Sequence, residues 1–366
     1  MTLPRSSYVQ EGQEGVYHCF SRCVRRAFLC GLDALTGRDF SHRKVWLVER
    51  LRDLTSLFAI EAFAYAVMAN HWHAVLRTRP DLVASWSDQE VATRWLTLFP
   101  TRQRNKRTSL DSIQDQICAL SNQPERIAQL RKRLSSLSWL MGRLNEFIAR
   151  AANKEDGVKG RFWEGRFKCQ ILLDEAAIAG CMVYVDLNPI RSGVAATPEE
   201  SNFTSIQQRI RAWYNSTISA PHAPTQEEAQ QMQPASSDKN MTVPENTSAP
   251  DPTSAHLPGP SDSWLCPIHS GPQRRGILEM TEAEYFDLVD RSGRMVRSDK
   301  RGFIDADLDP ILNRIGAIPK AWANTVLHFG SAFWLAAGRL VQMRSFADRL
   351  DKCWFKGLAA ARSAFF

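Results

Sequence analysis

Ala64-Tyr65-Ala66-Val67-Met68-Ala69-Asn70-His71-Trp72-His73-Ala74-Val75-Leu76 reads as an apolar strand, a tight turn at Met68-Ala69-Asn70, and a second strand that carries two histidines. Side chains alternate across a strand, so His71, His73 and Val75 share one face while Trp72, Ala74 and Leu76 share the other. Two imidazoles two residues apart on one face can grip a divalent ion, and the opposite face goes into a core. Histidine is the commonest metal ligand among side chains. A His-x-His pair is also a short signal, equally met as two histidines packed beside a sheet, so the rest of the chain has to supply the remainder of a site.

Upstream, a Gly-containing turn at Gly12 to Gly15 precedes Val16-Tyr17-His18-Cys19-Phe20-Ser21-Arg22, which predicts a first strand. His18 is read as a core histidine of that strand, with a metal or DNA contact as the alternative. Arg22, Arg25 and Arg26 make a basic exit from it. Val45, Trp46, Val48, Leu51, Leu54, Leu57 and Phe58 recur at helical spacing, predicting a helix over 43–58. Strands over 59–67 and 71–77 follow, giving β-α-β-β.

Downstream, residues 84–152 break the pattern. A helix start at Ser87-Asp88-Gln89-Glu90, a basic loop from Thr101 to Thr108, and an apolar stripe from Ile127 to Ile148 predict a helical insertion whose stripe packs inward. Lys154 to Lys168 then interleaves cations and rings: Arg161, Phe162, Trp163, Arg166, Phe167, Lys168. Cations meet phosphates and rings stack on bases, so this stretch suits a single-stranded nucleic acid. Phe167 to Leu173 is the next strand. Asp174-Glu175 opens a helix that stops at Asn188-Pro189, since the residue before proline avoids the α region. The order β-α-β-β-(insertion)-β-α predicts an α+β protein with a ferredoxin-like sandwich, an antiparallel sheet with helices on one face. That domain is expected over 10–214. Residues 215–263, rich in Ser, Thr, Pro, Gln and Asn, are expected to be a disordered linker, because so few apolar side chains cannot offset the entropy of ordering. Helical periodicity returns in 264–366, read as a small accessory domain. Its basic residues Arg291, Arg294, Arg297, Lys300 and Arg301 favour a DNA-contacting module over a protein-contacting one.

The 366 residues carry a formal charge of +7, which points to a polyanionic partner. No apolar run approaches the roughly 18–20 residues of a membrane span. The N-terminus lacks an apolar signal core. A cytoplasmic protein with reduced thiols is therefore expected, and Cys19, Cys23 and Cys30 are not spaced as a zinc site.

Tyr184 and Asn188 stand at i and i+4 and are expected on one side of the last helix. A phenol can act as nucleophile, and an amide oxygen can extend an ion site begun by His71 and His73. Taken together, Tyr17-His18, Ala66 to His73, Gly160-Arg161-Phe162-Trp163-Glu164-Gly165-Arg166-Phe167 and Tyr184-Val185-Asp186-Leu187-Asn188-Pro189-Ile190-Arg191-Ser192-Gly193 resemble the marks of the single-tyrosine HUH transposases, in the branch of the REP-associated tyrosine transposases. The resemblance covers about residues 10–210. It implies metal-dependent nicking and strand transfer on single-stranded or hairpin DNA. His71, His73 and Asn188 would hold Mg²⁺ or Mn²⁺, and Tyr184 would form a 5′-phosphotyrosine. Arg161, Trp163, Arg166, Lys168 and Arg191 would contact the DNA. The protein would act as monomer or homodimer. Two other readings compete: a sequence-specific DNA-binding regulator that does not cleave, and a metal-dependent hydrolase whose nucleophile is water.

Overall fold

The computed structural model describes residues 3–24, 29–33, 37–100, 113–219, 264–272, 274–296, 312–313 and 315–366. Its centre is an antiparallel sheet of β1 (Gly15–Arg22), β2 (Ile60–Val67), β3 (His71–Thr78) and β4 (Lys168–Leu172), extended by a two-residue β5 (Ala336–Ala337) that runs parallel to β4. The strand order is β2-β3-β1-β4-β5, which puts the histidine strand in the interior of the sheet. The register sets His73 opposite Phe20, His71 opposite Arg22, and His18 opposite Gln170.

The helices follow the expected order. α1 (Arg43–Leu57) buries Leu47, Leu51 and Leu54. The insertion folds as α2 (Pro80–Ser85), α3 (Asp88–Leu98), α4 (Ile113–Ser121), α5 (Pro124–Leu134) and α6 (Leu137–Glu155). Ser87 caps α3 by accepting from the Glu90 backbone N–H. The apolar stripe expected to pack inward does so at Ile127, Leu130, Leu134, Leu140, Leu144 and Ile148, while Phe147 of the same stripe is exposed. α7 (Glu175–Asp186) starts at Asp174, whose carboxylate accepts from the Ala177 N–H at 3.0 Å. A short α8 (Asn188–Arg191) and α9 (Ser205–Ser219) follow.

The α+β class is the one expected, but the helices do not share one face. On the face of β1 opposite His18, α6 donates from Asn145 Nδ2 to Ser21 Oγ at 2.9 Å, and α1 packs on α6. The buried Arg43 of α1 pairs there with Glu155 and Asp156. On the histidine face lies α7, with Phe329 packed on its Tyr184. The insertion helices pack on α1 and on one another, and α6 reaches Ser21 on the Trp72 face, so both faces carry helices.

The C-terminal segment comprises α10 (Glu282–Val296), α11 (Pro319–Ala332), α12 (Leu340–Arg349) and α13 (Leu358–Ala364). Expected as an accessory domain, it shares one apolar core with the sheet. It adds β5 to the sheet edge through the Ile171 N–H donating to Leu335 O at 2.8 Å and the Leu173 N–H donating to Ala337 O at 2.9 Å. Arg77, on the histidine face of β3, donates to the carbonyls of Arg275 and Gly276. Gly180 of α7 admits Phe329 and Trp322: a Cβ built at 180 would meet the Phe329 ring at 3.4 Å. Of the basic residues expected to face DNA from this segment, Arg291 and Arg294 pair with Asp287 and Asp290 one turn earlier on α10. Arg297, Lys300 and Arg301 lie outside the described residues, as do Arg25, Arg26, the loop 101–108 and residues 220–263 of the expected linker. The first five linker positions, 215–219, belong to the end of α9.

Candidate active site

β1, β3 and α7 bring three imidazoles and one phenol together. His71 and His73 project from one face of β3 with ring centroids 4.9 Å apart and planes nearly perpendicular, at 86°. His18 stacks on His73 from the neighbouring strand at 5.1 Å. Tyr184 approaches from α7, its ring edge-on to His73 at 5.8 Å and to His18 at 5.9 Å. A cleft of about 390 Å³ opens here, lined by Phe20, Ser21, Arg22, His71, His73, Glu164, Gly165, Arg166, Lys168 and Tyr184.

The proton positions follow from the partners. Asn70 Oδ1 lies 2.6 Å from His71 Nδ1 and can only accept, so His71 carries its proton on Nδ1. Gln170 Oε1 lies 3.4 Å from His18 Nδ1; with the Nδ1 proton donated to it, His18 accepts at Nε2. That Nε2 lies 2.9 Å from His73 Nδ1, which must then donate. The chain His73→His18→Gln170 and the pair His71→Asn70 leave both β3 histidines neutral, each with an Nε2 lone pair available. Burial drives the same way. It pulls His71 down to about 4, with the Arg22 guanidinium adding to the effect. It pulls His18 down to about 4 against the opposing Gln170 hydrogen bond. It lowers His73 further, helped by the other two imidazoles and Arg191. Neutral imidazoles whose second nitrogen is fixed by a hydrogen bond are what a divalent ion requires of histidine ligands.

Two imidazoles supply two positions. Among the described residues no group of three or more histidine, cysteine, aspartate or glutamate side chains is placed to hold a metal. Asn188, expected as a third ligand one turn below Tyr184, does not line the cleft. α7 closes at Asp186, and Leu187, at φ −86° and ψ 3°, breaks the helix before α8, so residues 184 and 188 are not one turn of a single helix. Asn188 is buried with its Nδ2 unpartnered.

The rim carries Arg22, Arg166 and Lys168 against one carboxylate, Glu164, which already pairs with Arg22 at 3.7 Å. Arg166 and Lys168 are exposed, as a phosphate contact requires. Arg161 is exposed but lies off the cleft lining. Trp163, expected to stack on a base, is buried, edge-on to Phe162, and donates its indole N–H to Asn145 O at 2.8 Å. The insertion helix α6 claimed it. Arg191, expected to contact phosphate, instead lies over the Tyr184 ring at 4.4 Å and donates to Leu327 O at 2.9 Å.

The C-terminal segment reaches the phenol itself. Phe329 packs on Tyr184 at 5.9 Å between ring centroids, and a Cβ at Gly330 would sit 2.6 Å from the Tyr184 hydroxyl. Nothing in the sequence signalled Gly330. The roles of His18 and Asn70 were within reach: His18 falls on the histidine face of β1 by alternation, and Asn70 adjoins His71.

No protein-family model and no curated protein matches the chain. Among solved structures, the chain is similar to one described as the REP-associated tyrosine transposase bound to a REP hairpin, at 12% sequence identity and a TM-score of 0.34, over 68% of this chain and 100% of that one. Among the described residues no helix is long and apolar enough to cross a membrane.

Proposed function

We propose that the protein nicks and rejoins single-stranded DNA through a covalent bond to Tyr184, assisted by a divalent cation, Mg²⁺ or Mn²⁺. The observation that carries this reading is the convergence of a helix tyrosine, two neutral strand histidines and an exposed cationic rim on one cleft. The exposed cations of the rim suit a phosphodiester.

His71 and His73 would hold the ion through Nε2, with water and phosphate oxygens completing a shell that hard cations prefer to fill with oxygen. The ion would neutralise charge on the phosphoryl oxygens and on the departing 3′ oxygen. Arg166 and Lys168 draw the backbone of the strand into the cleft. Tyr184 Oη attacks phosphorus: the Oη–P bond forms, the P–O3′ bond breaks, and the phenolic proton ends on the 3′ oxygen. The products are a 5′-phosphotyrosine and a free 3′-hydroxyl. Attack by a second 3′-hydroxyl reverses the chemistry and transfers the strand with no external energy source. Folded-back hairpin ends are the proposed substrate, and DNA transposition the proposed role.

The test reads both ends of the break. A single-stranded hairpin oligonucleotide incubated with protein and Mn²⁺ should yield one fragment that a polymerase extends from its 3′-hydroxyl and another whose 5′ end is blocked by protein. A free 5′-phosphate in solution would make water the nucleophile and support the hydrolase. Tight binding with no break, over several hairpins and ions, would support the regulator.

A further inference from the structure

A series of stacked guanidiniums and rings runs over the insertion, across α3, α5 and α6, and takes no part in the chemistry above. Arg126 lies 6.0 Å and Arg133 5.5 Å from the Trp95 ring centroid, and Arg133 also lies 4.6 Å from that of Trp139. Trp139 meets Phe99 edge-on at 6.2 Å, and Arg143 sits 5.0 Å from Phe99. Glu146 pairs with Arg143 and Arg150, one turn away on either side. Arg50 of α1 lies 5.2 Å from the ring of Phe147, which is exposed. Within this run of contacts, five guanidiniums are matched by one carboxylate. Arg126 bonds the Gln129 amide, and Arg50 Nε is buried with no hydrogen-bond partner. Burial, and then the charges of Arg150 and Arg50, lower the Arg143 guanidinium from its usual value. A groove of about 250 Å³ follows α6 here, lined by Ser138, Trp139, Gly142, Arg143 and Glu146.

Like charges gathered on rigid helices repel one another, and a polyanion that meets them relieves the repulsion. Each ring in the series already has a guanidinium against it, so the rings hold cations in place rather than offer a platform for bases. What remains to bind with is the guanidinium edge, whose fork matches phosphate oxygens. A double helix carries about one charge per 1.7 Å of axis and is stiff over the span of two protein helices, so fixed cations meet fixed phosphates. We propose that this face of the insertion binds the phosphate backbone of double-helical DNA without regard to sequence. The α6 helix also donates from Asn145 to Ser21, which lines the Tyr184 cleft, so one helix joins the two surfaces. The choice of DNA rests on the reading of that cleft; the duplex contact itself needs neither Tyr184 nor a metal.

The test uses the full chain in chelator, so that no cleavage enters, with two blunt DNA duplexes of unrelated sequence as fluorescent probes. Arg133→Gln, Arg143→Gln and Arg150→Gln combined should lower affinity for both duplexes at least about tenfold and reduce the slope of log affinity against log salt by about 0.9 per charge. Arg133 packs on two indoles, so the urea midpoint of this variant is measured alongside. Arg150→Glu, at a side chain 79% exposed, is a second variant that leaves the core alone. It should weaken binding to both duplexes on the order of fivefold. Parent affinity and parent salt slope in both variants would overturn the proposal. So would a parent chain that binds phosphatidylserine vesicles but neither duplex, or a loss confined to one sequence. The Tyr184 adduct on a single-stranded hairpin is scored separately and should be retained in both variants, so failure of the nuclease chemistry and failure of the duplex face give different results.

Discussion

The two faces of β3 do opposite work with adjacent residues. Trp72, Ala74 and Leu76 are fully buried on the opposite face, where packing dominates and the Trp72 indole nitrogen finds no hydrogen-bond partner. His71 and His73 face α7, where each nitrogen has a chemical assignment. A one-residue slip in register would exchange the two sets, so the hairpin that fixes the register also fixes the chemistry. The β3 pairings with β1 on one side and β2 on the other hold it there.

This contrast can be broken one face at a time. The largest difference is expected between His73→Ala and Trp72→Ala. The first should lower Mn²⁺-dependent nicking by at least about 100-fold and cost about 1–3 kcal/mol of stability through the His18 nitrogen left unpaired. The second should cost about 3–5 kcal/mol of stability, read by urea unfolding, without altering the metal requirement of the surviving fold. If both variants lost stability alone, the histidine face would be core like the other.

Next comes Gly330→Ala. Its new methyl would collide with the Tyr184 hydroxyl, and displacement of the phenol should slow adduct formation by about 100-fold with hairpin affinity retained. Unchanged adduct formation would remove the C-terminal segment from the site. A smaller effect belongs to Asn70→Ala. It frees the His71 tautomer and should weaken Mn²⁺ affinity by about 10-fold, measured by calorimetry.

Acid should weaken the fold through the same face. His18 and His71 stay neutral in the fold down to about 4, while the unfolded chain takes up protons from about 6.5. Stability therefore declines as pH falls through that window, by about 1.4 kcal/mol per histidine per unit. Asp186 opposes this. Burial pushes its carboxyl up to about 6 against the hydrogen bonds from Ser205 and Tyr285, so the fold takes up its proton first on acidification. The urea midpoint should fall between pH 7 and pH 5, and fall more steeply in Asp186→Asn. A midpoint that rose would contradict the neutral-imidazole network. Smallest of all, Arg166→Gln with Lys168→Gln should reduce the slope of log affinity against log salt by about 0.7 per charge for single strands.

The sheet and the start of α7 were legible because their signals are local: alternation in 71–77, an Asn-Gly-free but tight turn before it, and the Asp174 cap; the stop expected at Asn188-Pro189 falls at Leu187, and Asn188 and Pro189 open α8 instead. The pairing of Tyr184 with the two histidines in one cleft was legible too. What escaped depended on partners far along the chain. Trp163 looks like a stacking residue until Asn145 of α6 takes its indole. Arg191 sends its Nη2 to Leu327 O of α11 and lies over the Tyr184 ring, with its Nε and Nη1 unpartnered. β5 is two residues long and has no periodicity to read. Asn188 sits at a helical spacing from Tyr184 that the break at Leu187 cancels.

The most direct measurement is the fate of a 5′-flanked, end-labelled single-stranded hairpin mixed with the full chain and Mn²⁺ and run on a denaturing gel. A protein-linked band that disappears with Tyr184→Phe, with His73→Ala and with chelator is the predicted result. A linked band that persists in Tyr184→Phe, or DNA that is bound on a native gel but never linked, would contradict the assignment of Tyr184 as the nucleophile.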